Sequence, residues 1–380
     1  MNIAFYDPND LDYDATSPYE RPFGGSESAL CYLSAELARL GHQVWLLTGT
    51  RNPRNVLGVE CVRHRSLPRE FFAQPFDAFV TLNGPVDLGP NLRSLLHPAT
   101  PLVFWTGHGP TEGAVQGLRD GHVRRVWDQI VCVSTWHRQA TIDAFGLDPA
   151  KVGTLRNAIA PAFASMFATR DELVAAKNGG PILVHTSVPY RGLNVLLSVF
   201  PAISNEFPDV RLRVYSDMKL YHLGEESDRE FMPLYERCRA TPGIEYVGTI
   251  PQPELAAALR EASILAYPCT VPETSCIVVM EAMAAGLMVV TADIGALAET
   301  TMDMSRLVST IKGDAGLNDF VAEYYESLAQ VLAERARDPQ QFAAARFEQV
   351  RAVNETCTWP ARAREWEQAI PTFRHVPDSQ

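Results

Sequence analysis

Short apolar runs alternate with helix-forming segments along most of this chain, and that alternation limits the possible fold more than any other feature. In the first half, candidate strands lie at 3–6, 44–48, 78–82, 102–106 and 130–134. Leucines between the first two strands recur at helical spacing, and Gly41 follows the last of them. Short, continuous apolar strands separated by helices are typical of a parallel sheet that helices cover on both faces. The first half therefore predicts one Rossmann-like unit.

The same alternation begins again after a turn-rich break at 177–181. Further candidate strands lie at 182–185, 210–215, 244–247, 264–267 and 289–292, with helices at 193–206, 254–261 and 277–285. Two amphipathic segments follow, at 320–337 and 359–369. We predict an α/β protein of two doubly wound, Rossmann-like domains that face each other across a cleft. The expected parts are an N-terminal domain at 1–176, a second domain at 177–355 and, within 356–380, a helix that packs back on the N-terminal domain.

Composition and charge exclude several classes of protein. The chain is 46% hydrophobic and 21% charged, and its formal net charge of -12 does not suit a nucleic-acid-binding surface. The longest apolar stretch, 276–292, is interrupted by Glu281 and is too short to span a bilayer. The N-terminus shows no basic segment or cleavage site of a signal peptide, and the seven cysteines form no C-x-x-C pair. These features predict a cytoplasmic protein without a disulfide or zinc scaffold.

One local stretch is basic although the chain as a whole is acidic. It contains Arg51, Arg54, Arg63, Arg65 and Arg69. Such a cluster can contact anionic lipid head groups or a phosphorylated acceptor, which would place the protein peripherally at the inner face of a membrane. Ordinary solvated surface charge is the favoured alternative.

Three aspartates, Asp10, Asp12 and Asp14, stand at alternate positions after the first strand. A calcium-binding EF-hand loop beginning at Asp10 would need Gly at position 15 and Glu at position 21, but this chain has Ala15 and Arg21. We interpret the segment as an exposed loop and predict no metal site.

The strongest chemical signal is a pair of glutamates, Glu273 and Glu281, at a loop–helix junction. Ser275 suits the N-cap of the helix, which leaves backbone N–H groups near Cys276 and Ile277 for a diphosphate. Glu281 lies just over one turn into the helix, and its carboxylate can accept two hydrogen bonds from a ribose diol. Pairing with an arginine, or capping of a backbone group, is an equal alternative for Glu281, because an unpaired buried carboxylate is costly.

Two further segments lie where a strand gives way to a helix. Gly24 and Gly25 open the first helix, and paired glycines let a backbone approach a ligand closely. Arg191 begins the helix that follows the strand at 182–185, where its guanidinium can neutralise the charge on a departing diphosphate. An ordinary loop and an ordinary surface arginine are the alternatives.

The segment P-E-T-S-C-I-V-V-M-E-A-M-A-A-G contains E-x7-E and resembles the signature of the family-4 retaining glycosyltransferases of the GT-B fold. The resemblance implies that Glu273 contacts the hydroxyls of the transferred sugar and that Glu281 binds the nucleotide ribose. Gly24 and Gly25 match the loop that meets the donor phosphate and the acceptor. The resemblance also places four residues beside the diphosphate and the sugar: Thr274, Ser275, Cys276 and Ile277.

Arg191 matches a basic position of the family where lysine is more usual. Members commonly have a second basic residue several positions earlier, where this chain has His185 or Ser187. The resemblance therefore assigns stabilisation of the leaving group to Arg191, with His185 or Lys219 as helpers, and places Ser187 at the donor site.

His108 follows the fourth strand and matches a family histidine that lies near the C6 hydroxyl of the sugar. Many relatives have aspartate at the next position, where this chain has Gly109. Ser134 and Asn157 match positions at the cleft, and Ile250 matches a position that packs by the nucleobase.

Taken as a whole, the resemblance implies an enzyme that transfers a hexosyl unit from a nucleoside-diphosphate sugar to an acceptor hydroxyl, with retained anomeric configuration and without a metal or other cofactor. The acceptor is unidentified, since a glycan, a lipid-linked molecule and a small molecule all fit. Two alternatives stay open. One is an epimerase or hydrolase of the same fold that acts on a sugar nucleotide, and the other is a non-enzymatic two-domain sugar-binding protein.

Overall fold

The computed structural model describes residues 1–221, 225–309 and 316–374. The chain forms two compact units. The first comprises Met1–Glu20, Gly25–Ala158 and the segment from Trp359 onward, and the second comprises Arg21–Gly24 and Ile159–Thr358. Residues 159–176, which the sequence placed with the first domain, cluster with the second unit.

Each unit contains one β-sheet. The strands of the first unit are β1 (Asn2–Tyr6), β2 (Gln43–Thr48), β3 (Arg54–Val56), β4 (Val59–Arg63), β5 (Ala78–Leu82), β6 (Leu102–Thr106), β7 (Gln129–Cys132) and β8 (Val152–Thr154). The strands of the second unit are β9 (Ile182–His185), β10 (Arg211–Val214), β11 (Ile244–Tyr246), β12 (Ile264–Tyr267), β13 (Met288–Asp293) and β14 (Arg306–Ser309).

Helices connect the strands in both units. The α-helices are α1 (Ser17–Glu20), α2 (Gly25–Arg39), α3 (Arg69–Phe72), α4 (Gly89–Leu95), α5 (Gly121–Arg125), α6 (Thr135–Phe145), α7 (Arg170–Ala176), α8 (Leu193–Glu206), α9 (Met232–Ala240), α10 (Gln252–Leu259), α11 (Ile277–Ala284), α12 (Leu297–Thr301), α13 (Leu317–Arg337), α14 (Pro339–Ala344), α15 (Phe347–Thr356) and α16 (Trp359–Ala369). Short 3-10 helices include Gly113–Arg119, Lys219–Tyr221 and Glu225–Phe231.

The first sheet has the strand order β3-β4-β2-β1-β5-β6-β7-β8, with every neighbouring pair parallel except β3 and β4. All side chains of β5 and β6 are buried, as expected for central strands covered on both faces. The last helix, α16, packs on α2. Its Trp366 is fully buried, with ring centroids 5.1 Å from Trp105 and 5.9 Å from Phe5. These aromatic contacts fix the end of the described chain to the first unit.

The second sheet is parallel throughout and has the order β11-β10-β9-β12-β13-β14. Its core is built mainly from the apolar faces of α8 and α13 packed on these strands. The order runs 3-2-1-4-5-6 in chain sequence, which is the order of a doubly wound dinucleotide-binding sheet. The winding reverses between β9 and β12, so the loops after these two strands lead away in opposite directions. A crevice at this switch point is where such sheets bind ligands.

The predicted fold class is confirmed, because both units are α/β with Rossmann-like parallel sheets. Six predicted elements agree with the observed bounds residue for residue: 78–82, 102–106, 182–185, 264–267, 193–206 and 359–369. The strand predicted at 130–134 ends at Cys132, because Ser134 instead caps α6 by accepting a hydrogen bond from the backbone of His137. The sequence pattern does not predict β3, β4, β8 and β14, most of which are only three or four residues long.

The basic stretch and the alternating aspartates of the first unit pair with each other. The three pairs are Arg51 with Asp12, Arg54 with Asp14, and Arg65 with Asp10. Asp14 is buried, so the expectation that its segment is wholly an exposed loop is wrong for this residue. The three aspartates therefore neutralise part of the positive charge of the arginine cluster, the charge that suggested contact with lipid head groups.

Two properties of the described residues bear on membranes and metals. No helix within them has the length and apolar character needed to cross a bilayer. Within the same residues, His, Cys, Asp and Glu side chains do not gather in threes as metal ligands do. All seven cysteines are buried free thiols.

Candidate active site

The switch point of the second sheet brings together two residues that are 82 positions apart. Arg191 follows β9 and Glu273 follows β12, which is the neighbouring strand. Nη1 of Arg191 donates to Oε1 of Glu273 at 2.7 Å. The Glu273 side chain is only 4% exposed and that of Arg191 is 30% exposed. Separate roles at the sugar and the diphosphate were expected for these residues, and the structure joins them in one ion pair.

Glu273 receives hydrogen bonds from more than one side. Beside Arg191, the hydroxyl of Tyr267 donates to Oε1 at 2.5 Å, and the thiol of Cys269 lies 3.7 Å from the same oxygen. These donors offset the cost of burying the carboxylate. These contacts all converge on Oε1.

The backbone of Glu273 is fixed by a close approach of a second segment. Glu273 forms a parallel bridge with Gly295, and the carbonyl of Glu273 accepts from the backbone of Ala296 at 2.7 Å. Gly295 has φ +62°, and a β-carbon at this position would overlap the backbone of Glu273. Only glycine therefore permits this contact without displacement of the glutamate.

Arg191 is placed by a second glycine. Gly192 is the N-cap of α8 with φ +91°, and a β-carbon here would overlap the carbonyl of Pro268 in the loop after β12. The guanidinium lies 5.8 Å from the ring centroid of Tyr190. Nε of Arg191 is buried and donates to no acceptor within the described residues. A buried N–H without a partner is uncommon, and an anionic ligand would satisfy it.

Glu281 is buried in α11, with 3% of its surface exposed. Its Oε1 accepts from the backbone N–H of Ala160 at 3.1 Å, and the side chain of Gln252 also forms a hydrogen bond with it. Burial raises the pKa of Glu281 to about 8, although both hydrogen bonds lower it. Among the described residues, Glu281 thus caps a backbone group and does not pair with an arginine.

The raised pKa of Glu281 predicts a pH-dependent cost to stability. An unfolded glutamate ionises near its ordinary pKa of 4.5, whereas Glu281 ionises in the folded protein only near pH 8. The wild type should therefore lose stability relative to Glu281→Gln between these pH values and keep a constant difference above them. Urea unfolding at pH 5 and pH 8.5 measures this. The matched control is Glu254→Gln, at an exposed glutamate of α10, and its stability relative to the wild type should not change in this way with pH. If the stability difference between the wild type and Glu281→Gln were the same at pH 5 and pH 8.5, the raised pKa of Glu281 would be contradicted.

The start of α11 differs from expectation by one residue. The N-cap is Cys276, in an extended conformation with φ −90° and ψ 94°, and not Ser275. Among the described residues no side chain caps this helix, whose first residue is Ile277. Thr274 and Ser275 are half-buried in the loop between Glu273 and the helix. The N-terminus of α11 follows Glu273 closely in the chain, and a helix N-terminus favours anions.

Two proposed helpers of Arg191 occupy other surroundings. Burial lowers the pKa of His185 to about 4, so its ring is neutral near pH 7. Its ring centroid lies 5.9 Å from that of Tyr267, and the nearby Ser187 is buried. Lys219 is exposed and lines a cavity of about 620 Å³ that Asp217 also lines.

Ile250 is half-buried in the loop that precedes α10. It lies two positions before Gln252, whose side chain contacts Glu281. The residue expected beside the nucleobase, Ile250, is therefore linked to the residue expected to bind the ribose, Glu281, through the side chain of Gln252.

In the first unit, Asn83 connects the ends of three elements. Asn83 follows β5 in a left-handed conformation with φ +47°. Its Nδ2 donates to Oγ of Ser26 in α2 at 2.7 Å, and its Oδ1 accepts from the backbone of Gly107, after β6, at 2.7 Å. Gly25 is the first residue of α2, and Gly24 before it is buried. The glycine segment and the His108 loop thus meet through one amide side chain.

His108 has hydrogen-bond partners on both ring nitrogens. Nδ1 lies 2.6 Å from Oε2 of Glu112, and Nε2 lies 3.1 Å from the carbonyl oxygen of Asn83. Ser134 is the N-cap of α6, and the carbonyl of Asn157 accepts from Nε of Arg362 at 3.0 Å. Ser134 therefore has a structural role as a helix cap, and the backbone of Asn157 is held by α16.

Two family models match the chain. One, described as Glycosyltransferase Family 4, matches residues 23–163, and the other, described as Glycosyl transferases group 1, matches residues 181–345. Together these matches span most of the chain. The chain belongs to the family-4 glycosyltransferases. Since it is an enzyme of this family, the alternative of a non-enzymatic sugar-binding protein is wrong.

This glycosyltransferase is similar to several known proteins, of which it spans different shares. It is 26% identical over 318 residues to a phosphatidylinositol N-acetylglucosaminyltransferase protein of Arabidopsis thaliana, covering 74% of this chain and 67% of that protein. It is 30% identical over 115 residues to the phosphatidyl-myo-inositol mannosyltransferase of Mycobacterium tuberculosis, covering 30% of this chain and 28% of that one. The structure of Anabaena HepE in complex with UDP matches with a TM-score of 0.68 and 16% identity, over 98% of this chain and 100% of that chain. This likeness shows the GT-B fold.

Sequence reasoning missed four residues of this glycosyltransferase that position the candidate site: Tyr267, Gly295, Asn83 and Glu112. Tyr267 ends a predicted strand, and strand ends at a switch point commonly carry ligand-binding groups, so its place was a usable signal. The contacts of the other three join loops whose conformation no local pattern predicts.

Proposed function

We propose that this glycosyltransferase moves a hexosyl unit from a nucleoside-diphosphate sugar to an acceptor hydroxyl and retains the anomeric configuration. One observation carries the proposal most strongly. The Arg191–Glu273 ion pair lies at the topological switch point of the second sheet, directly before the helix that contains Glu281. These residues offer a cation for a diphosphate, an anion for sugar hydroxyls and a carboxylate for a ribose diol, and each of these three parts is present in a sugar nucleotide.

Each residue has a defined part in the reaction. The contacts of Glu273 with Tyr267 and Arg191 converge on Oε1, which leaves the carboxylate's second oxygen to accept from a hydroxyl of the transferred sugar. Nε of Arg191 and the backbone N–H groups at the start of α11 bind the diphosphate as charge develops on it. Glu281 accepts from the ribose diol.

The chemical step exchanges one bond to the anomeric carbon for another. The bond to the phosphate oxygen breaks, and the acceptor oxygen forms its bond on the face that the leaving group occupied. The acceptor proton passes to the departing diphosphate, so no protein nucleophile is required. Arg191 offsets the negative charge of the leaving group during this step.

The nucleotide is the first feature to test. HepE, which has the same fold, was solved with UDP, and this supports UDP as the first candidate for the present chain. A ligand that binds only the native state, at about 100 times its Kd, stabilises a protein by about 2.7 kcal/mol. In a thermal-shift panel of UDP, GDP, ADP and dTDP, we expect one diphosphate to raise the Tm by several degrees. Glu281→Ala should abolish that shift, and no shift with any of the four would contradict the donor site.

The acceptor we propose is a phosphatidylinositol-type lipid, encountered at the cytoplasmic face of a membrane. The names of two relatives, from Arabidopsis and Mycobacterium, both specify phosphatidylinositol compounds, and this supports the choice. Transfer of radiolabelled sugar to vesicles that contain phosphatidylinositol, and not to phosphatidylcholine vesicles, is the expected result. Transfer only to a soluble glycan or small molecule would replace this acceptor without changing the donor chemistry.

Metal removal should leave the reaction unaffected. The proposed stabilisation of the diphosphate uses Arg191 and backbone N–H groups, so it needs no divalent cation. We expect turnover in excess EDTA to equal turnover with added magnesium. Loss of activity in EDTA, with recovery when magnesium is restored, would contradict the assignment.

An epimerase or hydrolase that acts on the donor alone is the remaining alternative. Incubation of the donor without acceptor separates the two functions, because a transferase releases nucleotide slowly under these conditions. Rapid conversion without acceptor would favour the alternative.

A further inference from the structure

The surroundings of His108 specify the charge of its ring. Nε2 faces the carbonyl oxygen of Asn83 at 3.1 Å, and a carbonyl oxygen only accepts hydrogen bonds. Nδ1 faces the carboxylate of Glu112 at 2.6 Å, and an ionised carboxylate likewise only accepts. Both ring nitrogens therefore need a proton to satisfy their partners. Only the imidazolium form has two N–H groups.

We propose that Glu112 is a positioning residue that keeps His108 doubly protonated during sugar transfer and supplies the acid that this chain lacks at position 109. The proposal rests on the proposed function and on the family resemblance, which implies that His108 lies near the C6 hydroxyl of the transferred sugar. Position 109 is glycine and has no side chain. The carboxylate of Glu112, three positions after Gly109, lies within hydrogen-bond distance of the imidazole of His108.

The turn between Gly109 and Glu112 fixes the carboxylate in place. The backbone N–H of Glu112 donates to the carbonyl of Gly109 at 3.0 Å, and the N–H of Gly109 donates to Oε1 of Glu112 at 2.7 Å. One carboxylate oxygen thus closes the turn while the other binds the histidine. Glu112 is 52% exposed, so this local turn, and not burial, determines its orientation.

Other charged groups near His108 agree with a cationic ring. The hydrogen bond from Glu112 raises the pKa of His108, burial opposes it, and the carboxylates of Glu112 and Glu27 add to the rise. His137, from α6, is the other titratable neighbour, and its Nε2 lies 2.8 Å from the carbonyl oxygen of His108. Burial lowers the pKa of His137 to about 4, so it is neutral near pH 7 and does not compete for the charge.

A charged ring changes what His108 offers to a substrate. Hydrogen bonds from an ionised donor are roughly twice as strong as neutral ones. When a sugar hydroxyl replaces the Asn83 carbonyl at Nε2, an imidazolium donates to it with charge assistance. A neutral ring held by Glu112 through Nδ1 would offer Nε2 only as an acceptor.

The first test is independent of catalysis. Isotope-labelled histidine spectra of the full chain, with the signal assigned by its loss in His108→Gln, give the charge of His108 across pH. We expect the wild-type ring to be protonated at pH 7.5 and Glu112→Gln to titrate at lower pH. Glu367→Gln removes the carboxylate 3.0 Å from another histidine of the same unit, His42, and should leave the His108 titration unchanged. A wild-type His108 that is neutral at pH 7 would overturn the proposal, even if Glu112→Gln failed to fold.

The second test is the pH profile of transfer. The active imidazolium is lost as pH rises through the pKa of His108, and that loss should occur at lower pH in Glu112→Gln. We expect this variant to retain activity within about twofold at pH 5.5 and to lose about tenfold at pH 8. An equal loss at both pH values would indicate a purely structural role and overturn the proposal. If no donor supported turnover in the wild type, the proposed function would fail while the histidine spectra still decided the charge of His108.

Discussion

Glu273→Gln is expected to fold and to lose transferase activity by about 10²–10³ in kcat, the magnitude typical of removing one preorganised charged contact to a transition state. Gln keeps the shape of the side chain and an oxygen for Tyr267, but it lacks the negative charge that Arg191 and the sugar hydroxyls require. Because Arg191 is partly exposed, solvent should limit the loss of stability. Nucleotide binding, which we propose depends on Glu281, should persist. The kcat should therefore fall while the thermal shift produced by the nucleoside diphosphate remains.

The control for this variant is Glu245→Gln, which breaks another arginine–glutamate pair in the same unit. Glu245 contacts Arg213 at 3.0 Å and is 65% exposed. Exposed pairs contribute little, so activity and Tm should stay near wild type. Activity of Glu273→Gln within threefold of this control, about 0.7 kcal/mol in barrier height, would remove Glu273 from the reaction.

Gly192→Ala is expected to destabilise the protein by about 3 kcal/mol or more and to abolish transfer. Two costs add at this position. A non-glycine residue at φ +91° carries about 1 kcal/mol or more of backbone strain, and the new β-carbon would overlap the carbonyl of Pro268. Gly192 belongs to the segment that positions Arg191, and Pro268 belongs to the loop that leads to Glu273. If these two segments moved apart to relieve the overlap, the ion pair should also separate.

Gly41→Ala separates the two costs experimentally. Gly41 also has φ +91°, but a β-carbon there would meet no atom within 4 Å. Its substitution should therefore cost only the strain of about 1 kcal/mol and leave activity unchanged. Thermal unfolding of both variants, at about 2–4 °C per kcal/mol, measures the difference. Equal Tm losses would mean that the approach of the two loops is not as close as the structure indicates.

Elements whose apolar residues follow one clear periodicity could be predicted from the sequence, because burial of those residues favours a single type of secondary structure. The strand at 264–267 and the helix at 193–206 have buried faces that only one periodicity satisfies, so their bounds follow from the pattern. Short edge strands such as β14 bury little, and their sequence therefore contains little signal. Capping was also only partly predictable, because Ser275 and Cys276 differ in chemistry but either can occupy an extended N-cap.

The candidate site shows the same division. Glu273, Glu281 and Arg191 were predicted to be functional from their positions in the sequence and from the resemblance. Their contacts were not predictable, because the Arg191–Glu273 pair depends on two strands being neighbours in a sheet of particular order. For Glu281, the capping alternative left open by its sequence agrees with the bond from Ala160, which is 121 positions away.

The stereochemistry of the product tests the central claim most directly. With an α-linked sugar nucleotide and a phosphatidylinositol acceptor, the anomeric proton coupling of the isolated product should show an α-linkage, and Glu273→Gln should form little of it. A β-linked product would contradict retention, because it would mean that the acceptor attacks from the face opposite the leaving group.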